Sequence, residues 1–135
     1  MATGALPPPP MAQLMNIRLT HVEAGRIIFE GIPEEYHYNL LGIVHGGMAA
    51  TLLDSALGCC VNSHLAAGDR YTTIELKVNY LRPIRVDTGV VRAVATTVHI
   101  GRTTALVEGK VLDAADQVYA YASSTCLIKR AATAS

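Results

Sequence analysis

The apolar and polar positions divide the chain into one long unbroken segment and several alternating ones. From Gly46 to Asn62 nearly every residue is apolar or small, and Asp54 is the only formal charge. Such a run predicts a helix buried all round, because a helix with one face in water carries a polar stripe at the 3.6-residue period. It is too short, and too interrupted by glycine and aspartate, for a membrane span. Downstream the period changes to 2. Ile74, Leu76, Val78 and Tyr80 alternate with Thr73, Glu75, Lys77 and Asn79, which predicts a half-buried strand over 72–80 closed by Arg82-Pro83. The segments 88–100, 103–112 and 117–128 predict three further strands, joined at Gly101-Arg102 and at the turn from Asp113 to Asp116. Ahead of the helix, 17–22 and 25–31 predict a hairpin around Glu23-Ala24-Gly25, preceded by a short helical turn over 11–16.

The order is therefore strand, strand, helix, then four strands. A single apolar helix among about six strands is buried only if the sheet curls around it, so the expected class is α+β with a curved antiparallel sheet. The last three strands are long and adjacent, which makes a meander the economical arrangement. Any helix face the sheet leaves open has to be covered by a second copy. Residues 1–10, with four consecutive prolines, read as an extended tail, 11–129 as one domain, and 130–135 as a fraying C-terminal tail. The opening MATGALPPPPM has neither the basic region nor the apolar run of a signal peptide.

Charge narrows the partners. Lys plus Arg and Asp plus Glu number 11 each, for a formal net charge of zero, so there is no electrostatic footprint for nucleic acid or an anionic membrane. Little charge keeps copies apart, which is compatible with an oligomer. The three cysteines, Cys59, Cys60 and Cys126, sit among apolar residues and read as buried filler in a reducing cytoplasm rather than a disulfide framework. The five histidines are scattered without HxH, HxxxH or CxxC spacing, so no metal site is expected.

Candidate chemistry concentrates at the helix. An ionised carboxylate out of water costs several kcal/mol unless it is paired or kept partly wet, so Asp54 is either satisfied by neighbours or lies in a cleft that uses it. His45-Gly46-Gly47 opens the helix with two residues lacking Cβ, letting unpaired N–H groups at its positive end approach a ligand closely. Gly46 and Asp54 are separated by roughly 12 Å along the axis and rotated by about 80°, so one helix can hardly bring both to one carbon. If they cooperate, they do so across a two-fold dimer. That pairing suits acyl transfer to water: a backbone N–H polarises the carbonyl, and a carboxylate acts as general base or nucleophile. Asn39 and His45 could orient either partner. Each residue also has a plain structural reading, as a satisfied acid, a backbone-bonding histidine, a loop asparagine or close-packing glycines.

Asn39-Leu-Leu-Gly-Ile-Val-His45-Gly46-Gly47, with Asp54 nine residues after the histidine, resembles the signature of hotdog-fold acyl-CoA thioesterases, in particular the phenylacetic acid degradation thioesterase family. Asn79-Tyr80-Leu81-Arg82-Pro83 and Gly101-Arg102-Thr103 resemble it too, and the similarity runs from about residue 14 to 128. The resemblance implies a helix wrapped by the sheet, a dimer with a continuous sheet, and often a tetramer. It implies that Asp54 is the base or nucleophile, that Gly46 supplies the polarising N–H, that Asn39 positions water or carbonyl, that His45 supports, and that Thr73 contacts the attacking water. Some relatives carry a hydroxyl one turn after the acid, where this chain has Gly58. Coenzyme A would be part of the substrate rather than a cofactor. Its phosphates call for cations, for which Arg82, Arg85 and Arg102 are candidates and Lys129 a weaker one. Gly47 lies beside the substrate in this reading, and Leu40, Leu41, Met48 and Leu57 would line the acyl pocket. An acyl-CoA hydratase or dehydratase and a non-catalytic acyl-CoA-binding module are the alternatives on the same scaffold.

Overall fold

A computed structural model describes residues 8–132. The elements are α1 (Pro10–Met15), β1 (Ile17–Glu23), β2 (Arg26–Gly31), α2 (Gly46–Asn62), β3 (Arg70–Tyr80), β4 (Val91–Ile100), β5 (Thr104–Leu112) and β6 (Val118–Lys129). The strands form one six-stranded sheet in the order β1-β2-β4-β5-β6-β3, every pairing antiparallel. The expected meander is β4-β5-β6, and α2 carries the chain from the β2 side of the sheet to its far edge, where β3 pairs with β6. This is the hotdog arrangement. Among the described residues no helix is long and apolar enough to cross a membrane.

Small residues on the concave face let the sheet close on the helix. Ala93, Ala95, Ala105, Ala120 and Ala122 are buried there against Leu52, Leu53, Leu57 and Val61 of α2. Gly109 continues the series: a Cβ there would stand 3.1 Å from the Val94 carbonyl oxygen and 3.4 Å from Leu57 Cδ2. Side chains of ordinary size at these sites would hold sheet and helix apart.

Three expectations change. The helix is not buried all round, because the sheet wraps only part of its circumference. Ala50, Thr51, Asp54, Ser55 and Cys59 are half-buried and Asn62 is exposed, an uncovered stripe at helical spacing. The strict alternation expected for β3 fails as well. Its register with β6 shifts between Thr73 and Glu75, so Ile74 bulges outward and is 56% exposed. One extra residue reverses the facing of everything before it, which puts Tyr71 and Thr73 on the same inward face as Leu76 and Val78. Finally, the start of the C-terminal tail is tied down. Arg130 pairs with Asp69 at 3.2 Å and donates to the Gly101 and Arg102 carbonyls, and the Ala131 N–H donates to Asp69 at 2.8 Å. That N–H, with other donors, holds the Asp69 carboxyl below its usual range. At the other end the helix begins at Pro10, and residues 1–7 of the expected tail, like 133–135, lie outside the described residues.

Candidate active site

The mouth of α2 is assembled by close approaches that only glycine permits. His45 is the N-cap, and its Nδ1 accepts the Gly47 N–H at 2.8 Å. A Cβ on Gly47 would come within 2.9 Å of that nitrogen. Tyr80, from the end of β3, lies across Gly46 and donates its hydroxyl to the Gly46 carbonyl at 2.8 Å; a Cβ on Gly46 would be 2.9 Å from the tyrosine ring. The Met48 N–H donates to the His45 carbonyl at 3.0 Å. Of the three leading amides, only that of Gly46 has no acceptor among the described residues. The positive helix end is thereby reduced to a single free donor.

Gly46 lines a cleft of about 440 Å³ together with the apolar Ile43, Val44, Ala49 and Ile84, with Tyr80 and Tyr119, and with the polar Asn39, His45 and Arg82. Asn39 uses its side-chain oxygen within its own loop, accepting from the Leu41 N–H at 2.8 Å. Its amide nitrogen has no acceptor among the described residues. The Arg82 N–H donates to the Tyr119 carbonyl at 3.2 Å, anchoring the arginine backbone to the cleft wall.

Asp54 is elsewhere. It stands on the uncovered stripe of α2, beside Met11, Ala50, Thr51, Ser55 and Leu76 in a separate groove. Its partner is Thr73, whose hydroxyl donates to Oδ1 at 2.9 Å. The Ile74 bulge makes this bond possible by turning Thr73 inward. Thr51 is no rival donor, since its hydroxyl is given to the Gly47 carbonyl at 2.8 Å. The chain thus holds a carboxylate with a hydroxyl bonded to it and a free N–H on a glycine lining an apolar cleft, in two different places.

The profile of the thioesterase superfamily matches residues 41–120, the stretch holding both. The chain belongs to this superfamily. A Halobacterium salinarum protein provisionally named an esterase is 44% identical over 77 residues, covering 56% of this chain and 49% of its own length. Human acyl-coenzyme A thioesterase 13 is 30% identical over 80 residues, covering 58% of this chain and 55% of its own. These matches span about half the length of each relative. Among solved structures, a phenylacetic acid degradation-related protein from Ralstonia eutropha JMP134 superposes with a TM-score of 0.85 at 27% identity, covering 94% of this chain and 96% of that one.

Against the superfamily site implied by the sequence, the structure gathers Asn39, His45, Gly46 and Arg82 around one cleft and Asp54 with Thr73 at another place. Gly47 is adjacent, but its N–H is committed to the cap. Arg102 lies apart, beside Asp69 and Arg130 beyond the C-terminal end of α2, and Arg85 and Lys129 are exposed outside the cleft. The expected acyl-pocket residues are not in the cleft: Leu40 and Leu41 project into solvent, and Met48 and Leu57 face the sheet in the core. Polar loop versus apolar run does not reveal that, because an apolar residue on a tight loop tip has no core within reach. Gly58 is roofed by Tyr71, whose ring would meet a Cβ at 2.8 Å. Tyr71, Tyr80 and Tyr119 were not singled out from the sequence. Tyr80 falls inside a motif that resembles the family, whereas Tyr71 carries no local signal.

Proposed function

We propose that the protein is an acyl-CoA thioesterase acting on small aryl or short-to-medium acyl groups, releasing the acid and free coenzyme A. The observation that carries this reading is the placement of Asp54 on the open stripe of α2 with Thr73 donating to it. An acid kept partly wet and held by one donor on one oxygen has its other oxygen available for a water or a carbonyl carbon. Gly46 contributes the free N–H at the helix mouth, aimed at the oxygen on which charge develops. Water adds to the carbonyl carbon with its proton passing to Asp54, or Asp54 adds first and water cleaves the resulting anhydride. In the first route the tetrahedral intermediate collapses, the C–S bond breaks and the thiolate takes the proton held by Asp54; in the second the C–S bond breaks and the thiolate leaves as the anhydride forms, before water cleaves it. The cleft volume falls within the roughly 300–1,000 Å³ of small-molecule sites, and its apolar walls suit the acyl group. Arg82 at its border suits a coenzyme A phosphate.

A homodimer with shared sites is part of the proposal, doubled to a tetramer. The uncovered stripe of α2 and the free edge of β3 both call for a second copy, and the separation of Asp54 from Gly46 within one chain is resolved if each faces the partner's counterpart. The hydratase alternative needs a histidine free for proton abstraction, and His45 spends Nδ1 on the helix cap. A panel of acyl-CoAs with a thiol reagent tests the reading: thiol release by the wild-type chain and none by Asp54→Ala is expected. Hydration of an enoyl-CoA without thiol release, or binding without turnover, overturns it. Mixing Asp54→Ala with Gly46→Pro subunits should restore up to about a quarter of the sites if they are shared, whereas proven heterodimers without activity rule sharing out.

A further inference from the structure

Tyr71 is the unusual tyrosine of this chain. The phenol oxygens of Tyr38, Tyr80, Tyr119 and Tyr121 all have hydrogen-bond partners, and Tyr36 is 70% exposed to water. Tyr71 is half-buried, and its hydroxyl has no partner among the described residues. Its oxygen is not among the buried unpartnered polar atoms of the described residues, so it reaches solvent and is open to a partner the chain does not itself contain.

Its position says what. Tyr71 precedes Thr73 by two residues on the inward face of β3, before the Ile74 bulge. Its oxygen stands 2.9 Å from where a Cβ of Gly58 would be, and Cε2 2.8 Å. Gly58 follows Asp54 by one turn, about 6 Å along the same side of α2. The phenol oxygen therefore lies over the helix face that carries Asp54, one turn on from the carboxylate to which the Thr73 hydroxyl is bonded. We propose that Tyr71 positions the reacting water of this site, donating its O–H to the water oxygen while Asp54 receives the water's proton. The inference rests on the thioesterase reading above. Burial pushes the phenol up to about 12, so it stays an O–H donor throughout the neutral range.

The electron count is that of ordinary hydrolysis. One water O–H bond breaks and its proton goes to Asp54, and one lone pair forms the new C–O bond as the C=O π pair moves onto the carbonyl oxygen; its return breaks the C–S bond, and the leaving thiolate takes the proton from Asp54. The other lone pair accepts from Tyr71, which holds the water in line with the carbonyl carbon. Gly58 then has a purpose: any side chain there would displace the ring that delivers the hydroxyl.

Tyr71→Phe keeps the ring on Gly58 and removes only the oxygen. Its kcat should fall about tenfold, the worth of one hydrogen bond made in the transition state, with KM within twofold of wild type and an unchanged melting temperature. In a Tyr71→Ala background, Gly58→Ser places a hydroxyl in the vacated space and should recover part of the lost kcat. A Tyr71→Phe variant with wild-type kcat, or one whose loss lies in KM alone, overturns the proposal. Asp54→Asn in the same assay separates the two levels: an inert Asp54→Asn beside a fully active Tyr71→Phe refutes only the tyrosine's role, while an active Asp54→Asn refutes the reading beneath it.

Discussion

Asp54→Asn lowers turnover of a good acyl-CoA substrate by about a thousandfold, within the range attributed to a lost general base or nucleophile. The change is nearly isosteric. The asparagine oxygen can still accept the Thr73 hydroxyl, which now reaches Oδ1 at 2.9 Å, so the fold around β3 and α2 has no reason to move. What disappears is the charge and the second oxygen that could take a proton. Thermal stability should stay level or rise, because a neutral amide on a half-buried stripe costs less to desolvate than a carboxylate. Thiol-release kinetics beside a melting curve make the measurement. A variant within threefold of wild-type kcat would remove Asp54 from the chemistry and leave it a structural acid on an oligomer face.

Leu57→Ala has its large effect on stability instead. Leu57 is 0% exposed, and its Cδ2 lies 3.4 Å from where a Cβ on Gly109 would stand. Across from it the sheet offers a glycine and alanines, none of which has a side chain able to swing into the space left behind. Cavities that cannot collapse sit at the expensive end of the leucine-to-alanine range, so a loss of about 3–5 kcal/mol is expected in denaturant unfolding. At a temperature where the variant remains folded, KM should match wild type, since Leu57 reaches neither the cleft at Gly46 nor the groove at Asp54. A raised KM with full stability would return Leu57 to the acyl pocket, where the sequence alone had placed it.

Those two residues mark the boundary of what was legible. Asp54 stood out because one charge in seventeen apolar or small positions is an energetic anomaly that needs no coordinates. Leu57 did not, because a leucine in an apolar helix reads the same whether it faces a sheet or a ligand. Leu40 and Leu41 differ again: they sit on a loop tip with no core of their own chain within reach, so their apolar character says nothing of what they face. The strands and the helix were visible from their periods, and the helix mouth from His45-Gly46-Gly47, although which amide stays free depends on where the His45 ring turns.

By itself the sequence determined the elements, their order, and the two ends of the chemistry: a lone acid in a helix and a glycine pair at its start. Those follow from local rules of periodicity, capping and desolvation. Tertiary structure alone decided that Thr73 reaches Asp54, since a one-residue bulge at Ile74 reverses the side chain's facing and alternation cannot foresee it. It alone seated Tyr80 on Gly46 and Tyr71 on Gly58, contacts between residues 34 and 13 positions apart in the chain that no local pattern encodes. It also left the stripe around Asp54 bare, because six strands cannot encircle a helix, and that bare stripe is what a second copy would complete.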